Sequence, residues 1–169
     1  HFYRMKKILV YIVSVFVAAI AIGCTSDCYV SRESKLGISL IDSTTYKAKN
    51  LKGLTVIGVG SDSILYNNAN VSAIYIPLHI NNNITDYKLI LPTIVEGKAT
   101  PDTILLHIEH TPMPQLISEE CGCAMFHRIN NVTLENNTYN FKMQVTNPNV
   151  VNDDNETDIN KDTNIKILH

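Results

Sequence analysis

Four cysteines carry the clearest chemistry in this 169-residue chain, and they fall in two close pairs: Cys24 with Cys28, and Cys121 with Cys123. Cys24 closes the tetrapeptide Ala21-Ile22-Gly23-Cys24, which resembles a lipobox. In such a motif the cysteine is acylated and becomes the mature N-terminus. The residues ahead of it fit that reading. Lys6 and Lys7 form a basic start, and residues 8–22 form an apolar run that stops at Gly23. This is the n-region, h-region and small-residue order of a signal peptide. As a helix the run rises about 22 Å, short of a hydrocarbon core of about 30 Å. One acyl chain holds a protein marginally, at about 0.8 kcal/mol per buried methylene, whereas two or three anchor it stably.

The remaining three thiols, Cys28, Cys121 and Cys123, would lie in an oxidising envelope, where disulfides persist. Cys28 with Cys121 is the expected pair, tying the N-terminal segment to a late part of the chain. Cys123 is the alternative partner, because residues two apart on a strand share a face. Closing a loop of about 90 residues would stabilise the fold by roughly 4–5 kcal/mol in the chain-entropy model.

Other constellations are weaker. Cys121, Cys123 and His127 are soft and borderline metal donors, but their spacing matches no usual zinc signature. His107-Ile108-Glu109-His110 is not His-Glu-x-x-His, and its two histidines would face opposite sides of a strand, both at the surface. Residues 153–158 (Asp-Asp-Asn-Glu-Thr-Asp) have a calcium-loop composition. They lack Gly at the sixth position and Glu at the twelfth. Gly58-x-Gly60 lacks the third glycine of a phosphate-cradling loop, and no Gly-x-Ser-x-Gly elbow occurs. The sequence therefore predicts no enzyme, no cofactor and no metal.

The elements that must position these residues are strands. Hydrophobic residues make up 45% of the chain, with no Trp, eight Tyr and many β-branched side chains, a bias that suits a pleated, half-buried surface. Alternating patterns predict strands over 36–42, 54–60, 71–80, 87–95, 103–110, 121–129, 139–146 and 164–168, with short ones near 62–66 and 132–134. Asn pairs punctuate them as turns, at 67–70, 81–83, 130–131 and 136–137. Residues 111–120, with Pro112 and Pro114, read as irregular, and Pro77 points to an edge strand. About nine short strands without a helical period predict an all-β fold. The expected form is an antiparallel β-sandwich (Ig-like or similar), with a small open β-barrel as the alternative.

Residues 1–4 precede Met5 and read as an upstream extension. The signal-peptide helix takes 5–23, a lipidated tether 24–35, and a single β domain 36–169. Beyond Cys24, 11 Lys and Arg face 16 Asp and Glu, a net charge of −5. That balance, with no basic run, argues against nucleic acid and against electrostatic attachment to anionic lipid.

In this order the motifs resemble the domain-of-unknown-function family 6452, a family of Bacteroidetes lipoproteins. The resemblance rests on Cys28 close behind Cys24, residues 54–68 (LTVIGVGSDSILYNN), Ile76-Pro77-Leu78, Cys121-Gly122, Val145-Thr146-Asn147-Pro148 and Asn164-Ile165-Lys166-Ile167. It implies a lipid-anchored envelope protein and no activity. Cys123 and the Asn/Asp-rich stretch before residue 164 depart from it. Asp42-Ser43-Thr44, Asp62-Ser63-Ile64 and Asp102-Thr103-Ile104 are similar to the O-glycosylation acceptor motif of Bacteroidetes envelope proteins, which makes Ser43, Ser63 and Thr103 candidate sites. The expectation is a non-enzymatic structural or binding accessory, anchored by lipid at the outer membrane and facing the periplasm. Its partner would be an envelope protein or a glycan. The alternative is a surface-exposed module that binds glycan or protein.

Overall fold

Alternation with period two decides which side chains this protein buries. Leu36, Ile38 and Leu40, Ile74 and Ile76, and Ile104, Leu106 and Ile108 are all essentially inaccessible to solvent. The computed structural model describes residues 34–95, 97–119, 122–150 and 163–169. Among these there is no helix. The strands are β1 (Lys35–Ile41), β2 (Leu51–Gly58), β3 (Ile64–Val71), β4 (Ala73–Pro77), β5 (Ile84–Val95), β6 (Lys98–Ser118), β7 (Gly122–Glu135), β8 (Lys142–Val145), β9 (Asn149–Val150) and β10 (Ile165–Leu168).

They form two sheets, one of four strands in the order β4-β1-β10-β8 and one of six in the order β3-β2-β5-β6-β7-β9. One of the two curls into a half-barrel. The expected all-β, two-layer architecture is therefore present. All ladders are antiparallel except β1 with β10, which run parallel with Ile38 opposite Ile165. The apolar faces of both sheets meet in one core, to which Tyr87, Leu89, Leu91, Ile129, Phe141 and Val150 also contribute.

Four local readings differ from the sequence pattern. Asn130 and Asn131, expected as a turn, lie inside β7, where the register shift between Glu109 and His110 absorbs the extra residue and the strand runs on to Glu135. Residues 67–70 belong to β3, not to a turn. β3 is an edge strand whose pairing to β2 is broken by register shifts, and Asn68 sits at φ 48° with its N–H donated to Thr55 Oγ1. Asn is locally turn-like here, yet the strand continues through the irregularity. Residues 111–118 continue β6 despite Pro112 and Pro114, which pair with His127 and Met125 of β7. The β5 ladder ends at Ile84 opposite Glu109. Beyond it, both proline nitrogens can face an unpaired side, where no N–H is needed. Finally, residues 71–80 do not form one strand: the chain turns at Ser72 and changes sheet between β3 and β4. Pro77 does lie on an edge, at the end of β4.

One buried amide locks the four-stranded sheet to the rest. Asn164, fully buried, accepts the Gly37 N–H with Oδ1 (3.1 Å) and donates Nδ2 to the carbonyls of Asn147 (3.1 Å) and Asn149 (2.8 Å). It thereby joins β1, β10 and the link between β8 and β9.

Candidate functional site

The polar groups that are not consumed by the fold gather at one end of the sandwich, where β1 starts, β4 ends and β5 begins. Three segments build it. The turn from β2 to β3 carries Val59, Ser61 and Ser63. It depends on Gly58, whose absent side chain leaves room for Ser61 Oγ (2.9 Å from where a Cβ would lie), and on Gly60 at φ 90°. The loop from β4 to β5 carries His79 and Asn81, Asn82 and Asn83. The start of β5 supplies Thr85, Asp86 and Tyr87. Together they line two adjoining hollows, of about 120 and about 570 Å³, which share Val59, His79 and Asp86.

The hydrogen bonding of this end is unevenly committed. Ser61 and Ser63 hydroxyls bond each other at 2.6 Å. Asp86 Oδ1 lies 2.6 Å from His107 Nδ1, and Glu109 Oε1 lies 3.8 Å from His107 Nε2. Among the described residues, the exposed side chains of His79, Asn81, Asn82 and Asn83 make no hydrogen bond. The Tyr87 hydroxyl donates to the Pro77 carbonyl, and burial pushes its pKa up to about 12.

Behind the hollows lies a buried polar row that the sequence reading missed. His110 and His127 are both excluded from solvent, with Nδ1 atoms 3.2 Å apart and rings packed edge to face. Thr85 Oγ1 accepts the His79 backbone N–H at 2.9 Å and lies 2.7 Å from His110 Nε2. A hydrogen bond between two Nδ1 atoms needs one to carry the proton and the other a lone pair, so the rings hold complementary tautomers. Burial, reinforced by His127 and His79, lowers the His110 pKa to about 4, and burial lowers that of His127 as well. Both are neutral at pH 7. His110 was expected at the surface. It is instead in phase with Ile104, Leu106 and Ile108, and that continued alternation was the available signal.

The residues singled out from sequence are placed as follows. Cys24, Cys28 and Cys121, and the acidic stretch 153–158, lie outside the described residues. Cys123 is a free, exposed thiol on β7, opposite Leu116. His127 faces His110, and among the described residues no three His, Cys, Asp or Glu side chains are grouped to hold a metal. Ser43 is exposed in a turn organised by Asp42, whose Oδ1 accepts the N–H groups of Thr44 and Thr45 and whose Oδ2 meets Lys49 Nζ at 2.7 Å. Ser63 is exposed just before β3. Thr103 is exposed too, but inside β6 rather than at a strand end. Ser34, the first described residue, places both its N–H (3.3 Å) and its hydroxyl (3.0 Å) on the Met125 carbonyl of β7.

The comparison with known families is decided by the stretch from β2 to β10: residues 53–168 match the family of unknown function DUF6452. The chain belongs to that family. No curated protein matches it, and no solved structure does. The DUF6452 match begins inside β2 and leaves out β1, which pairs with β4 and β10 between the two. It takes in both hollows and the His110–His127 pair. The DUF6452 domain is thus a two-layer β structure with its uncommitted polar groups at the end from which the N-terminal segment departs.

Proposed function

We propose that this DUF6452 protein is a lipid-anchored accessory of a cell envelope, non-enzymatic, attached through Cys24 to the outer membrane and facing the periplasm. The observation that carries this reading is the order Lys6-Lys7, apolar run, Gly23-Cys24, ending ten residues before Ser34. Hydrogen bonds to Met125 then seat Ser34 on β7. A tether of that length holds the domain beside the bilayer rather than on a stalk.

The end hollows and the unengaged side chains of His79 and Asn81–Asn83 support a binding or scaffolding role for that end. The test is direct. Expressed in a lipoprotein-processing host, the protein should partition into detergent, and its N-terminal peptide should carry acyl mass on Cys24. Cys24→Ala should give a soluble, folded protein. Membrane association that survives the substitution would refute the anchor.

A further inference from the structure

Among the described residues, five of the seven large apolar side chains left in solvent gather at one end. Ile64 and Leu65 at the start of β3, Ile80 in the β4–β5 loop and Ile84 at the start of β5 are between 38% and 58% exposed. Leu65 lines the smaller hollow beside Pro77 and Leu78, and Ile84 lines the wider one beside Val59. Leu116, 63% exposed, lies opposite Cys123, two residues along β7 from the Met125 carbonyl that holds Ser34. All five rim the end where the tether leaves. Two other large apolar residues are exposed among the described residues: Tyr46 at the opposite end, and Val145, which closes the edge strand β8 opposite Ile165.

We infer that this tether-side end rests on the surface of a zwitterionic phospholipid bilayer, with Ile64, Leu65, Ile80, Ile84 and Leu116 entering its interfacial layer. The inference rests on the lipid-anchor reading above. Ten residues separate Cys24 from Ser34, a reach of at most about 35 Å. With the lipid on Cys24, the end that bears Ser34 meets the bilayer with the tether slack. Turned over, the domain would lift Ser34 by at least the length of β1, about 23 Å, and take up about two thirds of that reach.

The polar floor between the apolar side chains suits the same surface. Residues that lie at a membrane interface combine apolar side chains, buried about 5–10 Å, with groups that meet headgroups and water. The choice of a zwitterionic surface follows from charge. Asp62, Asp86, Glu109 and Glu119 outnumber Lys35 and Arg128 near this end, so an anionic surface would repel it.

The chain contains no Trp, so one introduced Trp reports without background. The full lipoprotein, as Ile80→Trp, Ile84→Trp, Leu116→Trp or Tyr46→Trp, is reconstituted into phosphatidylcholine vesicles whose acyl chains are brominated close to the headgroup. All four positions are exposed, so the substitutions leave the core intact. In the first three, emission should fall to about half of that on unbrominated vesicles, as expected for rings within the interfacial layer; in Tyr46→Trp it should be unchanged.

Flotation of the same samples separates the two readings. Protein that floats but shows no quenching at 80, 84 and 116, or equal quenching at 46, overturns the orientation and leaves the anchor standing. Protein that fails to float overturns the anchor and the orientation with it.

Discussion

Acid should loosen this fold before its carboxylates titrate, and the cause is the buried His110–His127 pair. In the unfolded chain an imidazole takes up a proton near its ordinary value of 6.5, whereas His110 in the folded protein waits until about 4. Between those values the unfolded state holds more protons, so stability rises with pH and is lost as pH falls through the window. For His110 alone the linkage gives about 2 kcal/mol at about pH 5. Water at the adjoining hollows screens part of it, so the expected loss is roughly 1–2 kcal/mol. His127 shifts in the same direction and adds to it. Asp42 is held well below the usual carboxylate range by the Lys49 ammonium and the Thr45 and Thr44 N–H groups. It stays ionised throughout and contributes no slope. The assay is urea unfolding followed by far-ultraviolet circular dichroism at about pH 7.5 and about pH 5, for the native sequence and for His110→Gln, which keeps a hydrogen-bonding group and cannot titrate. The native protein should lose roughly 1–2 kcal/mol more than the variant over that interval. Equal losses in the two would refute the argument.

Asn164→Ala should cost about 3–4 kcal/mol in the same unfolding assay, because it strands the Gly37 N–H and the Asn147 and Asn149 carbonyls away from partners; a loss below about 1 kcal/mol would mean that water replaces the amide. Gly53 sits at φ 72° with Pro92 Cγ only 2.7 Å from where a Cβ would lie. Gly53→Ala should therefore destabilise by about 1–3 kcal/mol, and by less in a Pro92→Ala background, which separates the clash from the backbone strain. Peptide mapping of alkylated, unreduced protein should recover Cys28 joined to Cys121, with Cys123 alkylated; alkylation of all three would remove the disulfide. Ser34 on Met125 puts a Cys28 pairing with either Cys121 or the alternative Cys123 within reach, since six residues lead back to Cys28, four to Cys121 and two to Cys123, and an extended chain covers the longest of these in about 20 Å; Cys28 joined to Cys123 would select the alternative.

The parts of the fold legible in sequence were those buried on one face. β1, β4 and the first half of β6 announce themselves through Leu36/Ile38/Leu40, Ile74/Ile76 and Ile104/Leu106/Ile108, because a half-buried strand must alternate. β3 was not legible. An edge strand exposed on most of its length has no face to declare, and its Asn residues satisfy turn and strand equally well. The extension of β6 through Pro112 and Pro114 was hidden for a related reason: a proline forbids a ladder bond on one side only, and sequence does not say which side is open. The His110–His127 contact depends on a register set by the irregularity between Glu109 and His110, and no local pattern encodes that pairing. The hollows depend on the β2–β3 turn meeting the β4–β5 loop and the start of β5, so only their members, Ser63 and the Asn run, could be noticed in advance.

The parallel pairing of β1 with β10 also bears on how this protein can be made. The middle of the four-stranded sheet joins residues 127 positions apart, with β10 inserted between β1 and β8 and its Asn164 tying three segments together. Until the chain has emerged through Leu168, β1 has only β4 beside it, and the core presented by Ile165 and Ile167 is absent. Non-local pairings of this kind slow folding, since loop closure must precede the contacts that reward it. Assembly of the domain is therefore a late event in the life of the chain. An arrested or C-terminally clipped copy would bare the edges of β1 and β8 that face β10, and the cell's proteases would meet an open sheet rather than a shortened but finished one.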